Sequence, residues 1–255
     1  MFNMELKEGK KVYFASDVHL GLYPAEKSLV REKLFVQWLD EIKKDAQALF
    51  LLGDIFDFWW EYRKVVPRGF TRFLGKICEL TDCGIEVHFF TGNHDVWVYD
   101  YLPKETGMII HHHPMKMAIN NKSFFMAHGD GLGSGDFGYL ILKRLFTSTL
   151  LQWLFMRIHP NLGVAIGQVW SKNSRYSKGL SEPFQGEDKE HQIIFARNYL
   201  KKEPVDFLVF GHRHLPMDIL LNEKSRIINL GEWISSFSYA IFDGSDMKLH
   251  YFRKD

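Results

Sequence analysis

The 255-residue chain has two cysteines, Cys78 and Cys83. Two thiols cannot form a disulfide framework, and they lack the partner spacing of a zinc site. They are expected to be reduced, at or near the core of a cytosolic protein. Net charge is almost absent. A formal value of +1 gives no whole-chain field for a nucleic-acid partner, so none is expected. The charged N-terminal segment lacks the apolar centre of a signal peptide. Nowhere do about 18 or more apolar residues run without a charge, so no spanning helix is expected. Internal repeats and low-complexity tracts are missing too. An apolar content of 46% provides the core of one large domain, or of one domain with a subdomain.

Within that frame, polar residues stand where apolar runs stop. Lys11 to Ser16 reads as a buried strand and runs into Asp17-Val18-His19. Ala48 to Leu52 runs into Gly53-Asp54, and Glu86 to Thr91 into Gly92-Asn93-His94-Asp95. Ser28 to Lys44 and Arg72 to Cys83 carry helical spacing between them. This is a β-α-β-α-β opening, and in open α/β sheets ligands bind beyond the carboxyl ends of the strands. Met115 to Ile119 and Ser123 to Ala127, around Asn120-Asn121, read as a hairpin that delivers His128-Gly129-Asp130. Asp188 to Lys202 reads as a helix, and Phe207 to Phe210 leads to Gly211-His212-Arg213-His214. Met217 to Leu221, Arg226 to Leu230, Tyr239 to Asp243 and Lys248 to Phe252 complete a strand-rich, antiparallel or mixed second half. The fold class is α/β: two packed sheets with helices outside. Residues 1–133 and 184–255 form the core, and 134–183 an insertion.

Five clusters of one format are unlikely to be separate accidents. Asp17, His19, Asp54, Asn93, His128, His212 and His214 offer more donors than one tetrahedral zinc needs. They suit two divalent ions. The mixture of imidazole and carboxylate favours Mn²⁺, or Fe²⁺ or Zn²⁺, over the all-oxygen Ca²⁺. One carboxylate has to bridge, and Asp54, on the middle strand of the opening unit, is the natural one. Paired metals clamp a phosphoryl group and generate hydroxide near neutral pH, which points to hydrolysis of a phosphate ester or anhydride. His111-His112-His113 belongs to none of the clusters and reads as a polar loop. Asp57 and Trp59 read as packing residues, with Asp57 also able to hydrogen-bond a metal ligand.

Asp-x-His, Gly-Asp, Gly-Asn-His-Asp, His-Gly-Asp and Gly-His-x-His, in that order, resemble the calcineurin-like metallophosphoesterase family from about residue 12 to 214. The resemblance implies a four-layer α/β/β/α sandwich. It implies that Asp17, His19 and His214 hold one metal, that Asn93, His128 and His212 hold the other, and that Asp54 bridges. It implies a catalytic His94 that stabilises charge on the scissile phosphate or protonates the leaving group, with Asp95 orienting it from behind.

The insertion has its own absence: no Asp or Glu from 137 to 181, against six cations, Lys143, Arg144, Arg157, Lys172, Arg175 and Lys178. Its first half is rich in Leu, Phe and Trp. The uncharged run between Arg144 and Arg157 is too short to cross a bilayer and suits a membrane surface or a lipid chain. Packing on the main body would account for many of these hydrophobes, but not for the missing acids. A metallophosphoesterase with such a helical cap resembles the UDP-2,3-diacylglucosamine pyrophosphatases of lipid A synthesis. Gly53-Asp54-Ile55-Phe56-Asp57-Phe58-Trp59 is similar to that family's second block. The resemblance implies release of UMP from a nucleotide-linked diacyl sugar, and a cytoplasmic enzyme held peripherally at the inner membrane. It implies substrate contacts at Asn93, His94, Asp136, Ser171, Arg175, Lys178 and His212. One position departs: the best-known members have Arg where this chain has His94. The competing readings are a phosphodiesterase acting on soluble nucleotides or nucleic acid, and a non-catalytic membrane-binding protein.

Overall fold

The computed structural model describes residues 2–132, 137–178 and 183–252, with backbone alone at 2, 137–141 and 173–178. Strands are β1 Phe2–Met4, β2 Lys11–Ala15, β3 Ala46–Leu52, β4 Glu86–Phe90, β5 Ile109–His111, β6 Met115–Ile119, β7 Lys122–Met126, β8 Phe207–Phe210, β9 Met217–Leu220, β10 Arg226–Asn229, β11 Ser238–Phe242 and β12 Met247–Tyr251. Helices are α1 Ala25–Ile42, α2 Thr71–Asp82, α3 Tyr101–Thr106, α4 Phe137–Phe146, α5 Thr149–Phe155, α6 Pro160–Lys178 and α7 His191–Leu200.

Two six-stranded mixed sheets result, ordered β1-β6-β7-β8-β10-β9 and β12-β11-β2-β3-β4-β5. The continuous apolar runs of β2, β3 and β4 pair in parallel, as strands covered on both faces do. Three apolar layers hold the stack together. Phe35, Trp38 and Leu39 of α1 and Phe73, Ile77 and Leu80 of α2 pack on one face of the second sheet, at helical spacing. Phe14, Phe50, Phe124 and Val209 fill the space between the sheets, where Phe14 and Phe124 stack at 6.1 Å. Ile193 and Ala196 of α7 cover Phe125, Leu208 and Phe210 on the outer face of the first sheet. The architecture is the expected four-layer α/β/β/α sandwich.

The loops after β2, β3, β4, β7 and β8 carry the five clusters. Short elements escaped the sequence: β1, α3 and β5 have too few residues to show a period. His111 is one consequence. Instead of standing in a polar loop, it ends edge strand β5 and stacks on Phe90 at 4.6 Å, with its Nε2 2.9 Å from His88 Nδ1.

Helices α4, α5 and α6 meet the sandwich on a separate aromatic cluster of Phe58, Trp60 and Trp97. Phe155 of α5 lies 4.3 Å from Trp60, and Trp97 Nε1 donates to the Phe146 carbonyl at 3.1 Å. Among the described residues, no helix is long and apolar enough to cross a membrane.

Candidate metal centre

Among the described residues, eight non-glycine positions have positive φ, and five are candidate ligands: Asp17 (53°), His19 (48°), Asp54 (53°), His212 (68°) and His214 (54°). Left-handed backbone is uncommon for such residues and is retained where the surroundings enforce it, often at functional sites. Here it bends each chain back at a strand end.

Small residues let these loops approach one another. A Cβ on Gly92 would overlap Asp54 Oδ1, and one on Gly53 (φ +84°) would stand 2.5 Å from His128 Nδ1. The glycines of Gly-Asp and Gly-Asn-His-Asp are therefore required by the candidate ligands Asp54 and His128, through close approach and, at Gly53, through its backbone conformation.

Three donor groups converge, each within 4.8 Å: Asp17, His19 and His214; Asp54, His128 and His212; and His19, Asp54 and His94. His19 Nε2 lies 3.1 Å from His214 Nε2, and His214 Nε2 lies 3.0 Å from Asp17 Oδ1. Yet Asp17 Oδ1 is buried without hydrogen-bond geometry to a donor. A buried carboxylate oxygen beside two imidazole nitrogens is a donor set that a cation can take up. On the other side His128 Nε2 stands 3.4 Å from Asp54 Oδ2 and 3.3 Å from Asn93 Oδ1. Asp54 thus faces both groups. The donors fit a pair of divalent cations.

The imidazoles are held from behind. His128 Nδ1 contacts the Leu52 carbonyl at 2.7 Å, and His94 Nδ1 the Asp57 carbonyl at 2.9 Å. Donation from those Nδ1–H groups turns each Nε2 toward the site. His19 Nδ1 lies 3.5 Å from Asp57 Oδ1.

Charge follows the same plan. Burial pushes the Asp54 carboxyl up, but the His128 and His94 imidazoles outweigh it and hold the group well below the usual carboxylate range. Asp17 is lowered likewise, burial being opposed chiefly by His214. Burial disfavours the His128 imidazolium, while Asp54 outweighs it and raises that pKa. His212 goes the other way, to about 4, through burial and then the charge of His128. The ionised carboxylates and the neutral His212 can ligate a cation directly, while His128, favoured as the imidazolium beside Asp54, releases its proton on binding one.

Asp95 takes a different place from the one expected behind His94. Its carboxylate is fully buried and accepts the Gly92 and Ile55 amides at 2.7 and 2.8 Å, with the Asp54 and Phe56 amides at 3.3 Å. It ties the Gly-Asp loop to the Gly-Asn-His-Asp loop, and His94 takes its orientation from the Asp57 carbonyl. Ser171 is 3% exposed and donates to Asp57 Oδ2 at 2.9 Å. Asp136 lies outside the described residues, as do the side chains of Arg175 and Lys178.

Two acids received no role from the sequence. Asp130 accepts Lys143 Nζ of α4 at 2.6 Å; its membership in His-Gly-Asp was the available signal. Glu61 accepts the Tyr99, Asp100 and Tyr101 amides at 2.8, 2.9 and 3.1 Å, fixing the loop that follows Asp95. No local pattern marks it.

A family model described as calcineurin-like phosphoesterase matches residues 10–216. The UDP-2,3-diacylglucosamine hydrolase of Porphyromonas gingivalis is 41% identical over 252 residues, covering 94% of this chain and 96% of the relative. Proteins of the same name are 28% identical over 250 residues in Vibrio atlanticus, with 94% and 96% covered, and 27% over 240 residues in Actinobacillus succinogenes, with 94% and 98% covered.

Proposed function

Since the chain belongs to the calcineurin-like phosphoesterases, we propose that it hydrolyses the pyrophosphate bond of UDP-2,3-diacylglucosamine, giving UMP and 2,3-diacylglucosamine 1-phosphate. The names of its relatives support the substrate. The observation that carries the reading is the pairing of a cation receptor with helices that leave apolar side chains in solvent.

Asp17, His19 and His214 would hold one divalent ion, Asn93, His128 and His212 a second, with Asp54 shared and Mn²⁺ the preferred metal. Such a pair, when bound, supplies Lewis acidity toward phosphoryl oxygens and makes hydroxide available near neutral pH. His94 is aimed by the Asp57 carbonyl, with its Nε2 3.9 Å from Asp54 Oδ2. In the protonated form that Nε2 stabilises charge on the scissile phosphate or donates its proton to the departing phosphate oxygen. Asn93 and His212, both beside His128, would contact the phosphates. Asp95 and Glu61 act by fixing the loops that carry these groups.

Selection for the diacyl sugar belongs to α4–α6. Leu150, Trp153, Leu154, Leu162, Ile166 and Val169 are 45–64% exposed, and burying acyl chains against such a surface is worth about 0.8 kcal/mol per CH₂. Arg157 lies over the Trp153 ring at 4.5 Å, an amphipathic pairing suited to an interface. Arg175 and Lys178 supply cations for the pyrophosphate and Asp136 a further substrate contact, while Ser171, expected beside them, is buried and gives its hydroxyl to Asp57 instead. The protein works in the cytoplasm, peripherally on the inner membrane surface.

The test is product identity. With Mn²⁺ and UDP-2,3-diacylglucosamine, UMP and the acylated sugar 1-phosphate are the expected products. Release of UDP, or no reaction beside hydrolysis of simple diesters, would overturn the assignment. Cosedimentation with anionic vesicles, lost in Trp153→Glu, tests the membrane placement.

A further inference from the structure

Two contacts run from the insertion to the donor cluster, one from each end. On α6, the buried Ser171 hydroxyl donates to Asp57 Oδ2 at 2.9 Å. The other carboxylate oxygen, Asp57 Oδ1, lies 3.5 Å from His19 Nδ1, and the Asp57 carbonyl holds His94 Nδ1 at 2.9 Å. On α4, Lys143 Nζ reaches Asp130 at 2.6 Å, two residues beyond His128. The insertion therefore touches the carboxylate that stands behind one ligand and an acid beside another.

We propose that Asp57 is a positioning residue that couples the seating of α6 to divalent-metal binding, through Ser171 on one side and His19 on the other. The physical basis is geometric. A carboxylate facing the remote nitrogen of a ligating imidazole fixes its ring and tautomer. Asp57 can do so only in the rotamer that presents Oδ1 to His19, and the Ser171 hydroxyl holds the opposite oxygen in that rotamer. The link is tightly packed. A Cβ on Gly167 of α6 would overlap the Phe58 ring, so α6 approaches the segment after Asp57 as closely as it can. Linkage makes the effect reciprocal: a seated α6 strengthens metal binding, and bound metal holds α6 down. The proposal rests on the dimetal reading of the site.

Mn²⁺ affinity of the full-length chain, with amide exchange in α6, tests it. Asp57→Asn is expected to weaken Mn²⁺ binding about tenfold, within the range for groups that orient metal ligands. Ser171→Ala is expected to weaken it about threefold, and the double variant to bind no worse than Asp57→Asn, since the serine acts through the aspartate. Mn²⁺ is expected to slow exchange in α6 of the wild type and not in Ser171→Ala. Thermal melting confirms that each variant is folded, and Ser171→Thr, which keeps the hydroxyl, should recover part of the affinity. Ser171→Ala that binds Mn²⁺ and protects α6 as the wild type does would overturn the coupling alone. A wild-type chain that takes up no divalent ion would overturn the metal reading with it.

Discussion

In the sandwich, Asp17, His19, Asp54 and His128 are almost fully buried, backbone is held in left-handed conformations, and two glycines are irreplaceable because ligand atoms occupy the space of their side chains. In α4–α6, Leu150, Leu162 and Val169 are more than half exposed. One region is overdetermined, its donors fixed by burial, backbone conformation and close packing. The other leaves apolar side chains in solvent, the surface that the proposed function uses to hold acyl chains. On the proposed reading, chemistry and selection fall to different parts of the chain, which meet at Ser171–Asp57 and Lys143–Asp130. That division can be broken in several ways.

The largest effect is expected at the shared ligand. Asp54→Ala should abolish both metal binding and activity; two metals retained in elemental analysis would show that Asp54 is not shared. Next, His94→Ala should keep its metal and lose about 10²–10⁴-fold in kcat, the usual worth of a positioned acid or charge stabiliser. Wild-type turnover would remove its role. On the other side of the comparison, Trp153→Glu should raise KM for the diacyl substrate about tenfold, by placing a charge where acyl CH₂ groups bury. It should leave hydrolysis of an aryl phosphodiester unchanged; equal losses on both substrates would erase the distinction between regions.

The smallest effect concerns the sandwich alone. His88 and His111 share a hydrogen bond, and both are lowered to about 4: His88 by burial, His111 by burial and then by its His88 and His112 neighbours. Below pH 6.5 the unfolded chain binds protons at these positions that the folded chain refuses until about pH 4. Stability should therefore fall with pH across that window, by at most about 1.4 kcal/mol per unit per imidazole. Urea unfolding of wild type and His88→Gln checks this: the variant should show the shallower dependence, and an identical slope would contradict it.

Much of this was legible in the sequence, for a simple reason. A donor placed directly after a buried strand has one place to go, so the five blocks pointed to the strand ends as the site and to the candidate ligands. What stayed hidden depends on contacts far apart in the chain. Asp95 looks like a partner for adjacent His94, yet four amides claim it. Asp57 and Ser171 are separated by 114 residues, and no local pattern joins them. Edge strand β5 is too short for an alternation, so the burial of His111 had no signal. The left-handed conformations of Asp17 and His214 fit residue types enriched there, but most aspartates and histidines do not adopt them, so residue type alone could not place them.

The most direct measurement is kcat/KM on UDP-2,3-diacylglucosamine and on an aryl phosphodiester, side by side in one Mn²⁺ buffer. If the sandwich does the chemistry and the helices choose the substrate, the diacyl compound should be preferred by at least about 10²-fold, in keeping with several acyl CH₂ groups buried in the complex. Equal rates on the two, or activity on the aryl ester alone, would contradict it.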